Sequence, residues 1–351
     1  MATRLRVAFA VGSLLVILMI IVYWDDALHP LQGPVLSGAT VGTNGSSGPG
    51  ESPEQRERKR RIRDVCSGED FPGRGRDMDQ IPLRELDHLI VDDRHQIIYC
   101  YVPKVACTNW KRVMLVLSQS LVSSSSGKPY TDPETIPPDL VHNSSLYFTF
   151  AKFFSHYGAL SRHMMALKLK HYTKFLFVRD PFVRLISAFR NKFERPNEFF
   201  YRHFGAAILR RYGNLSAAVP HTAAEAFAAG IRPTFQQFIS YLLDPELDGT
   251  DVSNEHWQQV YRLCHPCQVH YDFVGQLENL ESDSEQLLNL LRVDQLIRFP
   301  SGARNRTSAS WVSDWFKKIP LTMRRDLYRL YRPDFQLFGY PEPAGLLQQD
   351  T

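Results

Sequence analysis

Ile97-Ile98-Tyr99-Cys100-Tyr101-Val102-Pro103-Lys104-Val105-Ala106-Cys107-Thr108-Asn109-Trp110-Lys111-Arg112 decides how this chain is read. An apolar, β-favouring run ends at Pro103 and gives way at once to Lys104, then to Thr108 and Asn109. A helix pattern follows, with Trp110, Val113, Met114, Leu117 and Leu121 at offsets 0, 3, 4, 7 and 11. A strand that feeds a helix through a short polar loop aims backbone N–H groups and the positive helix end at one point. Lys104 adds a full charge there, so the stretch reads as an anion site. The spacing alone equally permits an ordinary turn between a buried strand and a helix.

A second stretch repeats the design. Phe175-Leu176-Phe177-Val178 is a short buried strand, and Arg179-Asp180-Pro181 turns the chain. Asp180 suits an N-cap and Pro181 the first helical position. Phe182, Leu185, Ile186, Phe189 and Phe193 then repeat the same offsets. Two such units predict an α/β fold with a parallel sheet under helices. Arg179 and Ser187 can face a second anion, although alone Arg179 would pair with a carboxylate and Ser187 would face solvent. No G-x-x-x-x-G-K-[ST] occurs, so a kinase or nucleoside triphosphatase lacks its phosphate cradle.

The residues from Pro103 to Trp110 resemble the 5′-phosphosulfate loop of the Golgi carbohydrate sulfotransferases related to the HNK-1 sulfotransferase. Arg179 to Ser187 resembles their 3′-phosphate loop. Within that family the likeness is greatest to the chondroitin 4-O-sulfotransferases; it spans Leu83 to Tyr340 and includes the N-terminal anchor. The resemblance implies a P-loop-like sulfotransferase fold, with 3′-phosphoadenylyl sulfate (PAPS) as co-substrate and no metal. It implies transfer to the 4-hydroxyl of N-acetylgalactosamine in chondroitin, and in desulfated dermatan. Lys104, Val105, Ala106, Cys107, Thr108, Asn109 and Trp110 are then the expected cofactor contacts on the first loop. Arg179, Asp180, Pro181, Phe182, Val183, Arg184, Leu185, Ile186 and Ser187 are those on the second. Lys104 would stabilise the leaving phosphate. Asn254-Glu255-His256-Trp257 supplies the base, His256 first, Glu255 in reserve and His163 behind them. A contact from Ser301 to Thr307 is also expected. Two rivals stay open: a sister enzyme acting on dermatan, terminal GalNAc or HNK-1-type glycans, and a non-catalytic glycan-binding membrane protein.

The rest of the chain fits a secretory enzyme. The 351 residues are 44% hydrophobic, enough for a large core, and carry a net charge of +4. That mild excess suits an anionic ligand without naming one, and nothing points to nucleic acid. Val7 to Trp24 is an almost unbroken apolar run of 18 residues, about 27 Å as a helix. Arg4 and Arg6 precede it and Asp25 and Asp26 follow, so residues 1–6 are expected in the cytosol and the remainder in the lumen. Residues 25–80, rich in Gly, Ser, Pro and charge, read as a flexible luminal stem, and 81–351 as the sulfotransferase domain. By family the compartment is the Golgi, with the chain a single-pass type II membrane protein. Sequons stand at Asn44, Asn143, Asn214 and Asn305. Of five cysteines, Cys264 and Cys267 suggest a local disulfide or simple packing, because a zinc site lacks a second pair. Lys170, Arg184, Arg190 and Lys192 are candidates to attract a polyanionic glycan.

Overall fold

The structure, a computed structural model, describes residues 51–72, 74–158, 160–214, 218–247, 254–301 and 309–348. The expected tail at 1–6, the anchor at 7–24, Asn44 and Asn305 lie outside them. Among the described residues no helix is long and apolar enough to cross a membrane.

Four strands form one sheet in the order β1 (Leu89–Asp92), β2 (Ile97–Cys100), β3 (Thr173–Val178) and β4 (Phe273–Gln276). β1 and β2 form an antiparallel hairpin, whereas β2, β3 and β4 run parallel. β2 is buried throughout and β3 nearly so, which is why both read as continuous apolar runs rather than alternating ones. Helix α1 is Pro53–Ser67, α2 Cys107–Ser118, α3 Phe150–Tyr157 and α4 Leu160–His171. Further on come α5 (Pro181–Phe193), α6 (Phe235–Leu242), α7 (Val260–Cys264), α8 (Leu280–Leu290) and α9 (Leu321–Phe338). Gly158, at φ +56°, ends α3 before α4 begins.

Trp110 of α2 is fully buried and meets Phe175 and Phe177 of β3 at 5.0 and 4.9 Å between ring centroids. Burying one such indole is worth on the order of 4–6 kcal/mol of transfer free energy. A second core gathers around α5, where Phe182 meets Phe316 at 4.7 Å and Phe335 at 5.2 Å. Gly275 of β4 is required by a close approach: a Cβ there would come within 2.2 Å of the Phe177 ring.

The stem expectation needs correcting at its distal part. Residues 53–67 form α1, with Ser52 as N-cap and Pro53 opening the helix. Gln55 pairs reciprocally with the backbone of Val274, its Nε2 donating to the carbonyl and its Oε1 accepting from the N–H, both at 3.0 Å. Its side-chain amide thereby satisfies the outer edge of β4 as a strand would. Arg58 reaches the same carbonyl at 2.8 Å and the buried Asp283 at 2.7 Å. The cysteines also differ from expectation. Cys66 bonds Cys267 and Cys100 bonds Cys264, so the two cysteines of the CxxC staple different distant segments, and Cys107 is the free thiol.

Candidate active site

The parallel arrangement sends the carboxyl ends of β2, β3 and β4 to one edge of the sheet, and β1, antiparallel, starts there. Residues 101–106, 179–180 and 277–279 therefore emerge side by side with His88, in the crevice where open α/β sheets bind ligands.

The first loop turns tightly without glycine. Lys104 has φ +71° and Ala106 φ +53°, a conformation that costs about 1–3 kcal/mol per residue. Such alternation of handedness turns successive N–H groups to one side and makes an anion-binding concavity. Cys107 and Thr108 follow as the first two residues of α2, whose N–H groups have no carbonyl one turn behind them. The Lys104 ammonium has no carboxylate oxygen within 4.0 Å among the described residues. Burial brings its pKa down to about 8, and the neighbouring Lys192, Arg179 and Arg195 push the same way. Such an excess of positive charge beside free N–H groups fits the phosphosulfate of PAPS. Thr108 Oγ1 lies 3.3 Å from His142 Nε2, and Asn109 Nδ2 donates to the Pro300 carbonyl at 3.4 Å. Trp110 gives no side-chain surface to the site, being core.

The start of α5 is built as read, with Asp180 as N-cap and Pro181 at the first helical position. Asp180 caps α5 by accepting from the N–H groups of Phe182 and Val183, both at 2.9 Å. Arg179 Nη1 donates to the Lys104 carbonyl at 3.4 Å, which joins the two loops. Ser187 is half-buried on α5. Pro181, Phe182, Leu185 and Ile186 are buried and carry the loop rather than line it. Arg184 is not a surface cation: it is 2% exposed, and its guanidinium donates to the carbonyls of Pro103, Gln258 and Glu255 at 3.0, 2.6 and 2.8 Å.

Those last bonds bring the Asn254–Trp257 turn over the first loop. His256 Nδ1 lies 2.8 Å from Asn254 Oδ1, an acceptor, so Nδ1 carries the proton and Nε2 presents its lone pair. Burial, with Lys192 and Lys104 near by, lowers its pKa to about 2, and the imidazole is neutral. Glu255 Oε1 stands 3.7 Å from the same Nδ1, while its Oε2 accepts from Tyr101 Oη at 3.2 Å and lies 3.6 Å from His88 Nε2. His163 is not part of this assembly. It is exposed on α4, which leads into the start of β3 at the opposite end of the sheet, and Lys170 lies there too. Arg190 is exposed and pairs with Glu194, whereas Lys192 faces the site.

Sequence reasoning missed Glu278, whose carboxylate accepts from the N–H of Asp180 at 3.1 Å and from Tyr340 Oη at 2.8 Å. It also missed Tyr101 and His88, which meet Glu255, and Lys111, whose Nζ lies over the Tyr101 ring. Lys111 falls one turn after Thr108 on α2, a spacing that could have marked it. Ser301 donates to Glu134 from its N–H and hydroxyl, and the remainder of the 301–307 stretch lies outside the described residues. No group of His, Cys, Asp and Glu suited to a metal ion occurs among the described residues.

The chain belongs to the sulfotransferase family, whose profile matches residues 87–341. It is 57% identical over 302 residues to carbohydrate sulfotransferase 12 of Mus musculus, covering 86% of this chain and 71% of that one. The protein of the same name from Xenopus laevis is 59% identical over 295 residues, 84% of this chain and 70% of its own. Carbohydrate sulfotransferase 11 of Rattus norvegicus is 37% identical over 359 residues, 98% and 95% of the two chains. No solved structure matches the chain.

Proposed function

We propose that this protein transfers the sulfuryl group of PAPS to the 4-hydroxyl of N-acetylgalactosamine in chondroitin, with desulfated dermatan as a second acceptor. The observation that carries the reading is the convergence of two anion-binding loops at one sheet edge, joined by Arg179 on the Lys104 carbonyl. The name borne by the relatives, carbohydrate sulfotransferase, supports a sugar acceptor. The reading includes a cytosolic tail at 1–6, a membrane anchor at 7–24 and a luminal catalytic body in the Golgi. The exposed Asn143 and Asn214 are its accessible glycosylation sequons.

PAPS supplies an activated sulfuryl group on a phosphate leaving group. Lys104 and the N–H groups of Cys107 and Thr108 hold the 5′-phosphosulfate, and Arg179 and Ser187 the 3′-phosphate. The acceptor oxygen bonds to sulfur as the bond from sulfur to the bridging phosphate oxygen breaks, and Lys104 stabilises the charge that grows on that oxygen. The acceptor proton passes to Nε2 of His256. An anionic co-substrate offsets the charges of Lys104 and Lys192 and so raises the proton affinity of this imidazole when it is needed. His256 is preferred to Glu255 because one oxygen of Glu255 is already engaged by Tyr101.

The test is transfer from labelled PAPS by the full chain to a panel of desulfated glycans, followed by disaccharide analysis. Label at the 4-position of GalNAc in chondroitin, lost in Arg179→Ala, is expected. Label on another sugar would move the acceptor and keep the chemistry. PAPS binding without any transfer would favour a glycan-binding protein.

A further inference from the structure

Lys111, one turn after Thr108 on α2, lies over the β2 end of the sheet, whereas Arg179 follows β3. Lys111 is near Tyr147, whose neighbours Phe148 and Thr149 pair with β1. Its Nζ lies 3.6 Å above the centroid of the Tyr101 ring and 5.2 Å from that of Tyr147. Among the described residues no carboxylate oxygen comes within 4.0 Å of it. A partly buried ammonium in that position is costly unless an anion reaches it, and burial does lower its proton affinity, against the pull of Glu255. The aromatic face holds the cation in place without neutralising it.

The sheet says which ligand can reach it. Arg179 and Ser187 belong to the β3 connection, so the 3′ end of the nucleotide lies towards β3 and β4. Lys111 lies towards β1, with Tyr101, His88 and Glu255, whose side chains are tied together by the Tyr101 bond at 3.2 Å and the His88 contact at 3.6 Å. His142, on Thr108 at 3.3 Å, flanks the same side and is exposed. The body of the protein around its ring lowers its proton affinity most, and Lys111 and Lys192 push the same way, so both ammonium groups lie near it. A polymer whose reacting sugar meets Lys104 and His256 carries its neighbouring residue across this side. In chondroitin that neighbour is a hexuronate.

We infer that Lys111, flanked by His142, is the subsite that binds the uronate carboxylate beside the reacting sugar, and so selects a uronate-containing polymer. This rests on the acceptor class proposed above. The ammonium donates to the carboxylate as a charge-assisted hydrogen bond while staying over Tyr101.

The experiment measures equilibrium binding of two unsulfated polymers to the full chain, chondroitin and carboxyl-reduced chondroitin, with adenosine 3′,5′-bisphosphate present. Lys111→Met is expected to weaken chondroitin about tenfold or more, to leave the carboxyl-reduced polymer unchanged, and to keep nucleotide affinity. Lys111→Arg is expected to recover most of the loss. An equal loss on both polymers, no loss on either, or a parallel loss of nucleotide binding would overturn the assignment. Because binding is read without turnover, failure of sulfate transfer in the wild type would count against the proposed reaction and leave this comparison standing.

Discussion

Arg184 Nε donates to the carbonyl of Pro103 at 3.0 Å, so a residue on the helix of the second loop fixes the start of the first. The same guanidinium holds the turn that carries His256 through the carbonyls of Glu255 and Gln258. One buried cation therefore sets the mutual position of the Pro103–Lys104 loop, the start of α5 and the turn that carries His256. Asp334, buried beside it, accepts from the N–H groups of Val260 and Tyr261 at the start of α7 and adds a nearby negative charge.

Arg184→Met should therefore cost both stability and function. Three carbonyls lose a charged donor, one of them in a fully buried bond and two in partly buried ones, a loss of about 3–5 kcal/mol. Urea unfolding should show a lower midpoint with an unchanged slope, and nucleotide affinity should fall with it. A variant as stable as the wild type would show that the three bonds do not hold the loops.

Lys104→Ala should separate the two quantities. Removing an electrostatic stabiliser of the leaving group costs about 10²–10³ in rate. Because the residue is half-buried without a carboxylate within 4.0 Å among the described residues, its removal should leave the melting temperature unchanged or raise it. Transfer assays and thermal melts on the same preparation check this. A melting temperature that fell along with activity would make Lys104 structural.

Much of this architecture was legible in the chain. The 0, 3, 4, 7, 11 spacing after Lys104 and again after Arg179 marked two strand–loop–helix units, because a helix packed on a sheet must keep one apolar stripe. Asp180 and Pro181 marked the start of α5 by their own backbone chemistry. What stayed hidden depends on contacts distant in sequence. Arg184 read as a surface charge because a buried guanidinium and an exposed one have the same letter, and only the carbonyls of Pro103, Glu255 and Gln258 tell them apart. α1 read as stem because its side chains are mostly charged; its attachment comes from Gln55 imitating a strand and Cys66 bonding Cys267, neither of which leaves a local period. The Lys111 position needed the sheet order, which puts Tyr101 and His88 side by side across β1 and β2.

The pH dependence of Lys104 has a definite sign. Its folded pKa of about 8 lies below the ordinary 10.5, so between those values the unfolded chain holds a proton that the folded one has released. Stability should rise with pH across that window. Affinity for adenosine 3′,5′-bisphosphate should do the opposite and fall above pH 8, as the ammonium loses its charge. Burial also lowers the pKa values of Lys111 and Lys192, so the difference between wild type and Lys104→Met is the quantity to follow. Identical pH profiles for the two proteins would show that Lys104 does not titrate there.

The proximal limit of the folded body is set by α1. A chain starting at Ile81 lacks Gln55 and Arg58, leaving the Val274 N–H and carbonyl without their side-chain partners and the Asp283 carboxylate without its cation. Asp283 is 1% exposed. It keeps the Gln276 N–H at 2.7 Å but loses the cation that balances its charge, and breaking such a buried pair costs about 3–5 kcal/mol. Loss of the Cys66–Cys267 bond removes a further 2–5 kcal/mol, roughly what a native disulfide contributes. A chain starting at Glu51 keeps all of these contacts and should unfold in one cooperative transition at higher denaturant. The one starting at Ile81 should unfold earlier or fail to accumulate, and amide exchange in β4 should speed up most, because its outer edge is what α1 covers. Equal stability of the two chains would return residues 51–80 to the role of a stem.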